Sequence, residues 1–135
     1  GARVGGGYFP PDVAAEIRKL LNPINITSVS QAMATAAMDD QTHLQQVVAQ
    51  TSDIRNKFAR DLRELRIQVP SSYTKFVLLR FDTPEVAGMV DQALRAQGLL
   101  MRGMAGYGLP NCLRATICAP DVMERALIVF RQGMG

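Results

Sequence analysis

Leu99-Leu100-Met101-Arg102-Gly103-Met104-Ala105-Gly106-Tyr107-Gly108-Leu109-Pro110-Asn111-Cys112-Leu113-Arg114-Ala115-Thr116-Ile117-Cys118 reads as two strands, Leu99 to Met104 and Cys112 to Cys118, joined by a Gly- and Pro-containing turn. Each strand is apolar apart from one arginine. Alternation in the second puts Cys112, Arg114, Thr116 and Cys118 on one face and Leu113, Ala115 and Ile117 on the other. A buried arginine cannot shed its charge, so it needs an anionic partner or a route to solvent. For either arginine alone, an internal salt bridge or a side chain snorkelling to water explains it equally well. Two of them flanking one turn, with Arg3 as a third, favour an anion-binding cleft, because the guanidinium fork matches carboxylate and phosphate. Tyr107, in the turn between the arginines, is a candidate lining residue.

Outward from this pair, Thr74 to Phe81 is apolar on both parities, as in a strand covered on both faces. Thr83-Pro84 supplies an N-cap and a first-turn proline for a helix ending at Gly98. Pro120 opens a last helix that turns Val122, Ala126, Leu127 and Phe130 inward. Upstream, Leu44, Val47, Val48, Thr51, Ile54, Phe58, Leu62 and Leu65 recur at helical spacing, a rod of roughly 33 Å. Ser28-Val29-Ser30-Gln31 has the form of a capping box. It precedes an Ala-rich helix to about Met38, whose small side chains suit burial between larger parts, and Asp39-Asp40 breaks it. Pro10-Pro11 opens a first helix carrying Val13, Ile17, Leu20 and Leu21, which Pro23 ends. Residues 1 to 8 read as a strand. The expected fold is α/β (α+β): a small three-stranded sheet with packed helices, preceded by a strand and linking helices.

The chain has 135 residues, 47% of them hydrophobic and 20% charged, which is ordinary globular composition. Its longest apolar run, Phe76 to Leu79, is far too short to span a bilayer. The net charge of +3 comes from 15 basic and 12 acidic residues. Arg55 to Arg66 is basic, but Asp53, Asp61 and Glu64 are interleaved, so it reads as a solvated helix face and not a nucleic-acid patch. Neither nucleic acid nor membrane is an expected partner. Cys112 and Cys118 on one strand lie roughly 20 Å apart, beyond disulfide reach. Free thiols point to a reducing compartment, most simply the cytoplasm, and one His with no CxxC spacing leaves no zinc site.

Gly1-Ala2-Arg3-Val4-Gly5-Gly6-Gly7-Tyr8 opens without an initiator Met or a signal pattern. Arg3 among small residues suits close approach to an anionic group, so the chain reads as a piece of a larger protein, beginning inside a site. Gly5 to Gly7 lack the ending of a P-loop and suggest strand-edge packing. His43 has no paired nucleophile and suggests a surface or capping role. Lys19, Lys57 and Lys75 show no sign of a Schiff-base site, and no Ser-His-Asp or paired-carboxylate arrangement is present.

The head Gly1 to Gly5, the pair Met101-Arg102 and the segment Gly106 to Ile117 resemble the C-terminal part of fold-type I pyridoxal-phosphate aminotransferases. The histidinol-phosphate aminotransferase branch is the nearest. Asn22-Pro23-Ile24-Asn25, the Ala-rich helix ending at Asp39-Asp40, and Val69-Pro70-Ser71 before Phe76-Val77-Leu78 are similar to that branch too, so the likeness covers essentially the whole chain in order. The resemblance implies that Arg3 binds the phosphate of the cofactor, pyridoxal 5'-phosphate, and that Arg102 and Arg114, with Tyr107 beside them, hold the substrate's phosphate or carboxylate. It places the Schiff-base lysine a few residues before Arg3, outside this chain, so no catalytic residue is expected within it. It further implies residues 1–27 as the end of a large cofactor-binding domain with its connector, residues 28–135 as a small C-terminal domain, and a homodimeric complete enzyme. Lys75 stands where that family commonly has Asn, Gly103 where Pro is frequent, and Cys118-Ala119 where Gly followed by Ser or Thr is usual. Threonine-phosphate decarboxylase and aromatic aminotransferases are related branches, and a stand-alone α/β module binding small anions is the alternative from a different class.

Overall fold

The computed structural model describes residues 3–22 and 25–133. Five helices and three strands follow in the order α1 Pro11–Leu20, α2 Ser28–Asp39, α3 Gln41–Glu64, β1 Phe76–Arg80, α4 Pro84–Ala96, β2 Arg102–Gly103, β3 Cys112–Thr116 and α5 Pro120–Gly133. A 3-10 turn, Ala105–Tyr107, lies between β2 and β3. The chain forms two compact units, Gly1–Gln46 and Val47–Gly135, with the boundary inside α3.

In the second unit the sheet order is β1-β3-β2, antiparallel throughout. Alternation sends Val77, Leu79, Leu113 and Ala115 to one face, where all four are buried. Phe58 and Leu62 of α3, Val90 and Leu94 of α4, and Met123, Leu127 and Phe130 of α5 complete that core. The Phe58 and Phe130 rings meet edge to face, their centroids 6.4 Å apart. Burying each such side chain contributes about 1.5–3 kcal/mol, so this layer dominates the unit's stability. The strands expected over 74–81, 99–104 and 112–118 are shorter, and the middle one is reduced to Arg102–Gly103. Beyond Gly103 the chain must bend into the 3-10 turn, with Met104 O accepting from Tyr107 N and Leu109 N. Gly108 closes that turn at φ 75°. Asn111 ties β3 to the end of β1, accepting from Phe81 N and donating through Nδ2 to Phe81 O at 2.7 Å.

Helix ends follow local chemistry. Thr83 Oγ1 accepts from Val86 N at 3.3 Å, as its place before Pro84 predicts. The Thr83 hydroxyl also holds the Glu85 carboxyl below its usual range. At the other end Leu99 N donates to Leu94 O and Gly98 N to Arg95 O, with Gly98 at φ 70°. This is a Schellman closure that needs a left-handed residue. Arg125 Nη2 of α5 caps the same terminus at Gln97 O, 2.8 Å.

In the first unit α1 and α2 carry no buried residue. The Ala-rich α2 is therefore not packed between larger parts among the described residues. Its cap is Thr27, whose Oγ1 accepts from Ser30 N at 3.1 Å. The expected box on Ser28 and Gln31 is shifted by one, because extended Thr27 already presents the hydroxyl and Ser28 becomes the first helical residue. Asp40 Oδ1 accepts from His43 N at 3.0 Å, which ends α2 and starts α3. The strand expected over residues 1 to 8 does not form: residues 3–10 carry no strand, while Gly1 and Ala2 lie outside the described residues. Three successive glycines bring no side chains to pack, and no described strand pairs with them. The connector expected over 22 to 27 falls partly on Pro23 and Ile24, also outside the described residues.

Gly88 inside α4 and Gly98 just past its C-terminus should respond in opposite directions. A Cβ at Gly88 meets nothing within 4 Å inside the helix, whereas Gly98 sits at φ +70°. Gly88→Ala is expected to add roughly 0.5–1 kcal/mol through helix propensity, and Gly98→Ala to cost about 1 kcal/mol through left-handed strain. Urea midpoints of the two variants check both signs.

Candidate functional site

The face of the sheet opposite the helices carries the two strand arginines. The register sets Arg114 against Leu78 on one side and Arg102 on the other. Residues directly opposite on antiparallel strands share a face, and like charges placed so destabilise the pair unless something neutralises them. Among the described residues no carboxylate forms an ion pair with either arginine. The salt-bridge reading left open by the sequence is thereby removed for these residues.

Arg114 is half-buried, and its guanidinium carbon lies 4.3 Å from the centroid of the Phe76 ring. Its Nε is buried with no hydrogen-bond partner. Stacking on an aromatic face fixes the plane of the fork. Arg102 is exposed, its Nη2 3.4 Å from Tyr107 Oη and its guanidinium carbon 5.6 Å from the Tyr107 ring centroid. Tyr107 therefore braces Arg102. Between the arginines opens a depression of about 510 Å³, lined also by Arg95, Met101 and Thr116. Arg95 is tied by its Nε to Asp91 Oδ2 at 2.8 Å. The arrangement can bind an anion through one guanidinium from each of two paired strands. It contains no group for covalent chemistry.

Phe76 and Arg95 were not singled out in the sequence. Phe76 is diagonal to Arg114 across the β1–β3 ladder, because Phe76 pairs with Thr116 and Leu78 with Arg114. Its sequence signal was only that of an apolar strand. Arg95 looked like any basic residue in a last helical turn.

Arg3 belongs to the first unit, with a left-handed φ of 56° that a non-glycine residue seldom adopts. It lines an open cleft of about 890 Å³ with Gly5, Tyr8 and the α2 residues Met33, Ala34 and Ala37. No described carboxylate pairs with it. Nothing lies within 4 Å of a Cβ built at Gly5 or Gly6. A Cβ at Gly7 would meet the Phe9 ring at 2.6 Å, a local contact, and residues 3–10 carry no strand at whose edge these glycines could pack.

The remaining candidates carry no site. Lys57 donates to Asp61 Oδ2 at 2.8 Å, and that bond raises its pKa. Lys75 lies over the Phe76 ring at 5.5 Å. Lys19 pairs with Glu16 on the exposed face of α1. No cluster of three or more potential metal ligands occurs among the described residues. In the basic run 55–66 the expected solvated face holds for Lys57, Arg60 and Arg63 but not for Arg55, which is buried.

Comparison with known proteins gives one family. The model of the aminotransferase class I and II family matches residues 1–130. The histidinol-phosphate aminotransferase of Paracoccus denitrificans (strain Pd 1222) is 39% identical over 134 residues, covering 99% of this chain and 36% of the relative. That of Jannaschia sp. (strain CCS1) is 33% identical over 127 residues, covering 94% and 35%. The chain thus spans about a third of the length of the curated relatives it matches. Among solved structures, a putative aminotransferase from Burkholderia pseudomallei K96243 superposes at a TM-score of 0.83, with 22% identity over 93% of this chain and 38% of that one. Histidinol-phosphate aminotransferase from Sinorhizobium meliloti, in complex with pyridoxal-5'-phosphate, gives 0.77, with 22% identity over 92% and 34%. These two show a shared fold.

Cys112 is fully buried and Cys118 exposed, and both are free. A thiol reagent is expected to label Cys118 quickly in the native chain and Cys112 only on denaturation, two thiols in all without reductant. Equal rates for both would contradict the placement of β3.

Proposed function

This chain belongs to the aminotransferase class I and II family, and on that premise we propose that it is the small-domain part of a pyridoxal-phosphate-dependent transaminase. Its substrate in this reading is an amino compound bearing a phosphate or carboxylate, with histidinol phosphate, in histidine biosynthesis, the favoured case. Residues 1–27 close the large cofactor-binding domain and 28–135 form the small domain. The whole enzyme is a cytoplasmic homodimer. Coverage of about a third of each curated relative supports the assignment to a part. One observation carries the substrate class: Arg102 and Arg114 face each other across β2 and β3 with no described carboxylate to neutralise them.

The residues fit pyridoxal phosphate to the extent that Arg3, which pairs with no carboxylate among the described residues, lines a cleft of about 890 Å³. Arg3 would hold the cofactor phosphate. When bound, pyridoxal phosphate supplies an electron sink for bond breaking at the substrate's amino carbon. The rest is positioning. Arg114, its plane set by Phe76, binds the substrate anion through the fork, Arg102 contributes a second charge, and Tyr107 limits the directions Arg102 can take. Binding energy from the remote anion orients the amino end, which is how a non-reacting group raises the rate.

The isolated chain is expected to be inert and to form no stoichiometric covalent adduct with pyridoxal phosphate, since none of Lys19, Lys57 or Lys75 is a Schiff-base residue in this reading. Borohydride reduction and peptide mapping check this, and one lysine labelled in full yield would overturn it.

In the whole enzyme Arg114→Ala should lower kcat/KM by the equivalent of about 2–5 kcal/mol, the scale for removing one partner of a desolvated charge pair. Arg114→Lys should recover only part, because a point charge lacks the fork. A large fall in Tm with specificity preserved would sink the anchoring role.

A further inference from the structure

Arg55 is the buried charge that the reading above does not use. It lies in α3 at 9% exposure. Its Nη1 donates to Thr74 O at 3.2 Å and its Nη2 to Asn56 Oδ1 at 3.4 Å, both neutral acceptors at long range. Its Nε is buried with no partner. No carboxylate among the described residues pairs with it. An uncompensated guanidinium taken out of water costs several kcal/mol, roughly, unless a counter-charge reaches it.

The wall in front of Arg55 is built to admit one. Arg55 lines a cavity of about 320 Å³ together with Arg63, Ser71, Ser72 and Tyr73. Arg63 gives Nε and Nη2 to Val69 O at 3.0 and 2.7 Å, which leaves Nη1 uncommitted. Ser72 spends its hydroxyl on Phe76 O at 2.6 Å and Tyr73 is 92% exposed, so Ser71 is the hydroxyl donor that remains. The cavity lining holds two guanidinia and no acid. Donors from two arginines and a serine hydroxyl suit the several acceptor oxygens of a tetrahedral oxyanion, and charge-assisted bonds of this kind are the strong ones.

We propose that the cavity between α3 and the segment 70–73, at Arg55, binds a phosphate-sized oxyanion, separately from Arg102 and Arg114. The anion bridges the helix to the segment leading into β1, and so ties Thr74 and Phe76 to α3.

The test is a titration of the full chain with inorganic phosphate at constant ionic strength, followed through arginine Nε–H resonances. The Arg55 resonance is assigned through its own Cδ, so no variant need fold to identify it. It is expected to move saturably at millimolar phosphate, to stay still with chloride, and to move equally in Arg114→Ala. Ser71→Glu, which tethers an anion at the cavity, is expected to abolish the phosphate response. A resonance unmoved through tens of millimolar phosphate overturns the proposal. So does a shift that vanishes in Arg114→Ala, since the anion would then belong to the open face.

Discussion

The register of β2 on β3 is the constraint on which the rest depends. It places Arg102 directly opposite Arg114 on one side of a sheet whose other side is fully committed to the core. Val77, Leu79, Leu113 and Ala115 are sealed by α3, α4 and α5, so a slip of one residue would drive Arg114 into that core. Apolar packing fixes the register, and the register in turn holds two cations together. In the proposed reading an anion taken between the strands offsets the repulsion of the two cations, so the fold's own hydrophobic pattern sets up the site.

Much of this was legible in the sequence, for identifiable reasons. The Thr83-Pro84 start, the Pro120 start and the alternation through Leu113, Arg114 and Ala115 are local signals, and each appears as read. The failures are tertiary. Residues 1 to 8 read as a strand from their small and apolar residues alone, but a strand needs a partner that local sequence does not name, and residues 3–10 carry none. Burial of the Ala-rich helix also depended on neighbours, and α2 has none that bury it among the described residues. Arg55 was read with its charged neighbours as solvated, yet it falls on the inner side of α3 with Phe58, Ala59 and Leu62. A charge-rich window gives composition; only the helical phase, measured against Phe58 and Leu62, would have flagged it.

The candidate site divides in the same way. Arg102 and Arg114 stood out as single charges in apolar strands. What orients them did not, because Phe76 and Tyr107 act across strands and across a turn. Tyr107, read from its turn position as a lining residue, also meets Arg102 through its hydroxyl and its ring. In the first unit Arg3 brings a cation to an open cleft beside Tyr8, Met33 and Met38, which are more than half exposed.

A double-mutant cycle on Arg102 and Arg114 tests the central claim most directly. Arg102→Gln, Arg114→Gln and the double variant of this chain are compared for unfolding free energy at low ionic strength, without and with saturating phosphate. The account predicts that the pair couples unfavourably in the anion-free chain and that phosphate cancels or reverses the sign. Additive effects in both conditions would mean that the arginines neither repel nor share an anion, and would contradict the account.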